Sequence, residues 1–127
     1  MAIRGVDVTV DLSPGQVWWA RPDPSVGREQ AARRPVMIVA GSDYLELMTT
    51  LALVVPLTTT DRGWPNHVPI QGQVDLSGQS FAMSEQVRVV SRDRLDRLAG
   101  TVTPSCLDQA REWIHHYLMD RAPRAVD

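Results

Sequence analysis

Short stretches of alternating or continuous apolar residues run through the first half of the chain and predict β-strands. Apolar and polar residues alternate over 6–12, which is the period of a half-exposed strand. Residues 16–20 are bulky and suit a pleated sheet. Two continuous apolar runs follow, at 35–40 and 51–57, and each predicts a buried strand. The connection between them, 41–50, has room for one turn of helix.

The pattern of short strands and turns continues into the second half. After a turn at 61–66, residues 67–71 predict a short strand, and 72–79 is typical of a hairpin connection. Residues 80–90 predict a further strand that ends in a polar stretch. Many short strands at this spacing indicate a small β-barrel or sandwich.

The C-terminal part has the periodicity of a helix. Thr103 followed by Pro104 is a helix start signal, because threonine caps the first turn and proline fits the first helical position. Apolar residues then recur at helical spacing and predict one face packed on the sheet: Leu107, Ala110, Ile114, Tyr117 and Leu118. The pattern ends near Asp120, and 121–127 is expected to be a frayed tail.

Composition limits the class of protein. The chain has 127 residues, 43% of them hydrophobic, and a net charge of −2, which favours one folded domain over a disordered chain. No apolar run is long enough to span a membrane, and the first residues lack the pattern of a secretory signal. The single cysteine, Cys106, excludes an intrachain disulfide and a thiolate metal site. These features favour a soluble cytoplasmic protein.

The positive charges are all arginines, and eight of the thirteen fall into two groups. One lies between Arg21 and Arg34, and the other between Arg88 and Arg97. A net-negative protein can still present a positive cleft to a phosphate backbone, because the local field attracts the ligand. Composition alone favours the alternative, that these are ordinary solvated charges.

A series of short motifs gives the charge pattern a specific interpretation. They follow one another along most of the chain: Gly27-x-Glu29-Gln30, Arg34-Pro35, Val55-Pro56-Leu57-Thr58-Thr59, Gly63-Trp64-Pro65, Glu85-Gln86-Val87-Arg88 and Gly100-Thr101-Val102. Each motif is weak alone, but together and in this order they resemble the MazF/PemK family of toxin endoribonucleases. The resemblance divides the chain into an N-terminal extension at 1–14, a family-like domain at 15–120 and a tail at 121–127.

The resemblance implies an SH3-like antiparallel β-barrel with a C-terminal α-helix, acting as a homodimer. It implies cleavage of single-stranded RNA at short sequences without a metal or other cofactor, and inhibition by an antitoxin protein. Arg34 and Thr58 are the implied catalytic pair, with Glu29 and Gln30 in the motif beside them. Arg28 stands where the family usually has serine, which adds a positive charge to the loop that would face RNA.

The implied chemistry suits these residue types. RNA can be cut by its own 2′-hydroxyl, which needs a base, stabilisation of charge on the phosphoryl oxygens and a proton for the leaving oxygen. The planar guanidinium of Arg34 matches two phosphoryl oxygens, and the Thr58 hydroxyl can donate to the same phosphate. Arginine itself is a poor base because its pKa is above about 12. Glu29 and His67 are therefore the candidate bases.

Further residues are candidates for RNA binding, each with a structural alternative: Arg28, Gln30, Thr59, Trp64, His67 and Gln86. Trp64 could stack on an unpaired base or form a hydrophobic lid. Gln86 could recognise a base edge or be an ordinary polar strand residue. The choice of Thr58 over Thr59 as the catalytic hydroxyl depends on the motif. Alternation predicts that one of Trp18 and Trp19 faces inward. The three histidines do not form a spaced metal set.

Other functions fit the same fold. The main alternative is a non-enzymatic poison of DNA gyrase, and another is a barrel that has lost activity and only binds a partner. The Glu29-Gln30…Arg34-Pro35 loop favours the nuclease. Its positive charge also predicts an antitoxin whose acidic, disordered segment folds onto the arginine-bearing cleft.

Overall fold

The structure, a computed structural model, describes residues 11–22 and 32–119. In these ranges the chain forms eight strands and two α-helices. In chain order these are β1 (Gln16–Ala20), β2 (Arg34–Ile38), α1 (Ser42–Leu47), β3 (Leu51–Thr58), β4 (His67–Pro69), β5 (Gly72–Val74), β6 (Phe81–Met83), β7 (Arg88–Ser91), β8 (Leu95–Val102) and α2 (Pro104–Leu118). Short 3₁₀ turns at Ser84–Gln86 and Arg92–Arg94 precede β7 and β8.

The strands form one antiparallel sheet that curls into a barrel-like shape. Its order is β4-β6-β3-β2-β1-β8-β5, with β7 also paired to β3. β4 and β5 lie at opposite ends of this order, yet two residues separate them in the chain. From Pro69 to Gly72 the chain makes three steps and spans at most about 11 Å, so the ends of the sheet must approach each other. The predicted mainly antiparallel β fold with a C-terminal helix is confirmed.

Side-chain alternation divides the core into two clusters, one on each face of the sheet. Val17, Met37 and Val55 belong to the cluster that packs against α2. Their neighbours Trp18, Ile38 and Val54 belong to the other cluster, which includes Leu45 of α1. Because the central strands are apolar on both faces, they are fixed in register from both sides. Trp18 therefore faces a core and Trp19 the opposite face, as alternation predicts.

Helix α2 closes the cluster around Val17 and Met37. The Thr103 side chain accepts a hydrogen bond from the Cys106 amide at 3.2 Å, and Pro104 occupies the first turn, which confirms the predicted start signal. Leu107 and Ala110 are buried, as predicted for the packing face. The helix ends at Leu118, whose side chain is exposed, so the packed face is shorter than the periodicity suggests.

Two of the predicted elements in the second half are wrong. Residues 80–90 form not one strand but β6, a 3₁₀ turn and β7, because buried Ser84 bonds the Asn66 carbonyl and the Tyr117 hydroxyl and so turns the chain. Residues 72–79 are not only a connection, since β5 pairs with β8 there.

Strand β8 was not predicted, because its residues alternate irregularly and half of them are exposed. The strand predicted at 6–12 falls mainly outside the described residues.

Candidate functional site

A cleft of about 770 Å³ opens at one end of the sheet. At this end β1 and β3 finish and β2 and β8 begin, so the strand termini supply residues from several elements. Its lining includes Ala20, Arg34 and Thr58. Strand ends suit a site because the sheet fixes the backbone while the side chains remain accessible to a ligand.

The predicted catalytic pair lines this cleft together. Strands β2 and β3 pair Val36 with Pro56 and Ile38 with Val54. Continued by two residues, that register places Arg34 opposite Thr58, and opposite residues of an antiparallel pair have their side chains on the same face. Arg34 is exposed, and its guanidinium has no hydrogen-bond or ion-pair partner among the described residues. It is therefore available to bind an anion.

The lining of the cleft is strongly positive. Within the described residues it contains no aspartate or glutamate. Besides Arg34 it contains four arginines: Arg21, Arg33, Arg88 and Arg94. Two of them are already engaged by backbone carbonyls, since Arg94 Nε donates to the Arg21 carbonyl at 2.9 Å and Arg21 donates to the Asp93 carbonyl. The side chain of Arg88 has no partner in the described part of the chain. In the sequence, the feature that points to Arg88 is its position in the Glu85-Gln86-Val87-Arg88 motif.

Hydroxyl and amide groups supplement the charge. Thr58 and Thr59 both line the cleft. Thr58 Oγ1 accepts a hydrogen bond from the Thr60 amide at 3.1 Å, which orients the oxygen and leaves its proton free to be donated. Gln86 also lines the cleft, but it lies in the 3₁₀ turn before β7 and not in a strand. Trp19, which sequence reasoning did not place here, completes the wall.

His67 and Trp64 are not in the lining. His67 is 4% exposed, and its Nε2 lies 3.1 Å from Oε2 of the partly exposed Glu85, so the buried ring has a polar partner at the surface. The Trp64 ring packs against His67 at 4.8 Å and stays half-exposed. His67 therefore lies outside the lining of the cleft that contains Arg34 and Thr58. Nothing in the sequence around His67 predicts that its side chain is buried.

The His67–Glu85 pair predicts a pH-dependent stability. Although partial burial alone would raise it, the pKa of Glu85 is lowered overall by hydrogen bonds and by the charge of His67. A lowered carboxyl pKa adds stability above the unfolded value, about 4.3, that is lost as the pH falls through the folded pKa. Glu85→Gln should therefore reduce the free energy of unfolding at pH 7 by about 1 kcal/mol or less.

The measurement is urea unfolding of wild type and Glu85→Gln across the acidic range. The difference between the two proteins should shrink toward low pH. A difference that stays constant with pH would show that the carboxylate charge contributes nothing.

Three predicted site residues, Arg28, Glu29 and Gln30, lie outside the described residues. Within residues 11–22 and 32–119 no group of three or more histidine, cysteine, aspartate or glutamate side chains is arranged to hold a metal ion.

Comparison with known proteins places this chain in a family. The model of the PemK-like, MazF-like toxins of type II toxin–antitoxin systems matches residues 13–118. The chain belongs to this family. The endoribonuclease toxin MazF of Escherichia coli K12 is 34% identical over 91 residues, which cover 71% of this chain and 78% of that protein.

Solved structures of toxin–antitoxin complexes share the fold of this PemK/MazF-like chain. The MazE–MazF complex from Deinococcus radiodurans has a TM-score of 0.72 at 23% identity and covers 86% of this chain and 96% of its own. An endoribonuclease bound to its cognate antitoxin from a mycobacterial species has a TM-score of 0.68 at 24% identity and covers 88% and 99%. None of the helices in the described residues is long and apolar enough to cross a membrane.

Proposed function

We propose that this chain is the endoribonuclease toxin of a toxin–antitoxin pair and that it cleaves single-stranded RNA in the cleft described above. The observation that carries the proposal is the placement of Arg34 and Thr58 in one positive cleft, in line with the family motif. The E. coli relative is an endoribonuclease, which favours this reading over the gyrase poison.

The proposed reaction uses the 2′-hydroxyl of the RNA as nucleophile. Its oxygen gives up its proton and attacks the adjacent phosphorus, the bond to the 5′-oxygen breaks, and the leaving oxygen takes up a proton from water. The products are a 2′,3′-cyclic phosphate and a free 5′-hydroxyl. Arg34 binds two phosphoryl oxygens and stabilises the charge that develops on them. Thr58 donates its hydroxyl proton to the same phosphate as a hydrogen bond. No redox or metal chemistry is needed for this sequence of steps.

The proton acceptor is the remaining part of the mechanism. The burial of His67 leaves Glu29 as the proposed base, since a carboxylate can take the 2′-hydroxyl proton and an arginine cannot at neutral pH. Arg28 and Gln30, next to it in sequence, are proposed to contact the RNA near the scissile phosphate.

The other lining residues support binding of the RNA chain on both sides of the scissile phosphate. Arg88, whose side chain is unpartnered within the described residues, suits a neighbouring phosphate, while Thr59 and Gln86 can hydrogen-bond to base edges. Trp64 lies outside the lining but is half-exposed on the segment leading into β4, which pairs with β6 beside Met83 of the cleft wall. It is proposed to stack on an unpaired base that leaves the cleft.

The partner is proposed to be a cognate antitoxin. Both complexes compared above contain a toxin with its antitoxin, and the excess of arginine in the cleft suits an acidic segment that folds on binding and blocks RNA. We further propose that the toxin acts as a homodimer in the cytoplasm, where its RNA substrates and antitoxin are found.

The test is incubation of the purified protein with a defined single-stranded RNA in excess EDTA. We expect discrete cuts whose products end in a cyclic phosphate and a 5′-hydroxyl, detected by mass spectrometry and by labelling of the new 5′ ends. A parallel assay with DNA gyrase separates the alternative function. Intact RNA together with gyrase trapped on DNA would overturn the proposal.

A further inference from the structure

Two consecutive arginines stand at the start of β2, Arg33 just before the strand and Arg34 as its first residue, and they differ in their partners. Arg34 has no partner among the described residues, whereas Arg33 Nε lies 3.1 Å from Asp96 Oδ2. The Arg33 side chain is 55% exposed and the Asp96 side chain 21% exposed. Both arginines line the cleft, so each could in principle meet a phosphate.

The ion pair directs Arg33 away from β3. In the sheet β1 lies between β2 and β8, so the ion pair turns Arg33 toward the side of β2 that is opposite to β3. There Trp19 pairs with Pro35 on one side and Arg97 on the other. Arg34 is the first residue of β2, and the register of β2 with β3 places it opposite Thr58. The bridge thus separates the two guanidinium groups.

Without the ion pair to Asp96, Arg33 would compete with Arg34 for the phosphate of the RNA. A guanidinium one residue away has the same charge and the same fork geometry for phosphate, but it is not opposite Thr58. RNA bound to Arg33 would hold the scissile phosphate out of reach of the hydroxyl. Arg21 and Arg94 do not present this problem, because backbone carbonyls already hold them. Among the described arginines of the cleft, Arg33 is the one held by a carboxylate.

We propose that Asp96 is a positioning residue, which holds Arg33 away from the RNA so that the scissile phosphate binds at Arg34. The inference rests on the proposed ribonuclease function and adds to it a determinant of productive binding on β8, two strands away from Arg34. Nothing in the toxin motifs includes Asp96 or Arg33.

The experiment compares Asp96→Asn with wild type in steady-state cleavage of a short single-stranded RNA. We expect kcat to fall about 5-fold, the effect of losing one partly exposed ion pair, while KM stays the same or decreases. The salt dependence of RNA binding should become steeper by about 0.7 in slope, because one more free cation meets a phosphate. If Asp96 only stabilised the fold, the Asp96→Asn substitution would weaken RNA binding and cleavage together.

Two further variants complete the test. Asp93→Asn removes a negative charge from the same segment without breaking an ion pair, and should match wild type. Asp96→Asn combined with Arg33→Gln removes the competing cation, and should restore kcat and the salt slope. The proposal is overturned if Asp96→Asn behaves like wild type. It is also overturned if kcat falls in Asp96→Asn and the double variant does not restore it. Cleavage that survives Arg34→Ala would instead refute the ribonuclease site itself.

Discussion

Arg34→Ala is expected to lower the rate constant for RNA cleavage by about 100- to 1000-fold, the usual cost of removing one preorganised donor from a developing oxyanion. The residue sits at the first position of β2, where pairing with Ala20 on β1 fixes its backbone. Its guanidinium is exposed and unpartnered among the described residues, so none of the hydrogen bonds seen in this part of the protein is lost with it. The fold should therefore survive the substitution.

Single-turnover cleavage of a defined RNA, with thermal unfolding in parallel, measures the effect and its cause. Arg34→Lys is the matched control, since it keeps the charge but loses the two-pronged hydrogen bond to phosphate. It should retain binding at low salt and recover only part of the rate. Full activity in Arg34→Ala with an unchanged unfolding temperature would remove the centre of the proposed mechanism.

The choice of Arg34 and Thr58 came from the family motif, since apolar patterns alone do not fix the register of two strands. The observed register of β2 with β3 places these two residues opposite each other in the cleft. Apolar runs predicted the two core strands, and the Thr103-Pro104 signal predicted the capped start of α2. Local patterns were sufficient wherever one face of an element is uniformly apolar.

Three features of the structure depend on tertiary contacts and could not be predicted from local sequence patterns. His67 begins a short strand that was predicted from the sequence, but its burial follows from the pairing of β4 with β6 and its contact with the partly exposed Glu85. Strand β8 was missed because it alternates polar, charged and small residues, and its strand identity comes from pairing with β1 and β5. The ion pair between Arg33 and Asp96 joins residues far apart in sequence, so no local pattern signals it.

Gly100→Ala is expected to be the most destabilising of the substitutions considered, although it adds one methyl group. Gly100 has φ +149°, a conformation that residues with a Cβ rarely adopt. A Cβ there would overlap the Gln73 carbonyl oxygen and lie 2.7 Å from Val74 Cα, both backbone atoms of the paired strand β5. Backbone cannot move aside as a flexible side chain does, so β5 and β8 would have to separate.

The free energy of unfolding should drop by about 3 kcal/mol or more, combining the strained backbone with the steric overlap. Gly78→Ala is the control, because its Cβ would meet nothing within 4 Å, and it should stay within about 0.5 kcal/mol of wild type. Urea unfolding of all three proteins gives the comparison. Since β8 also carries Asp96, a Gly100→Ala protein that still folds should lose cleavage as well as stability. Equal unfolding midpoints for Gly100→Ala and Gly78→Ala would contradict the close approach of β5 and β8 on which the near-closure of the sheet depends.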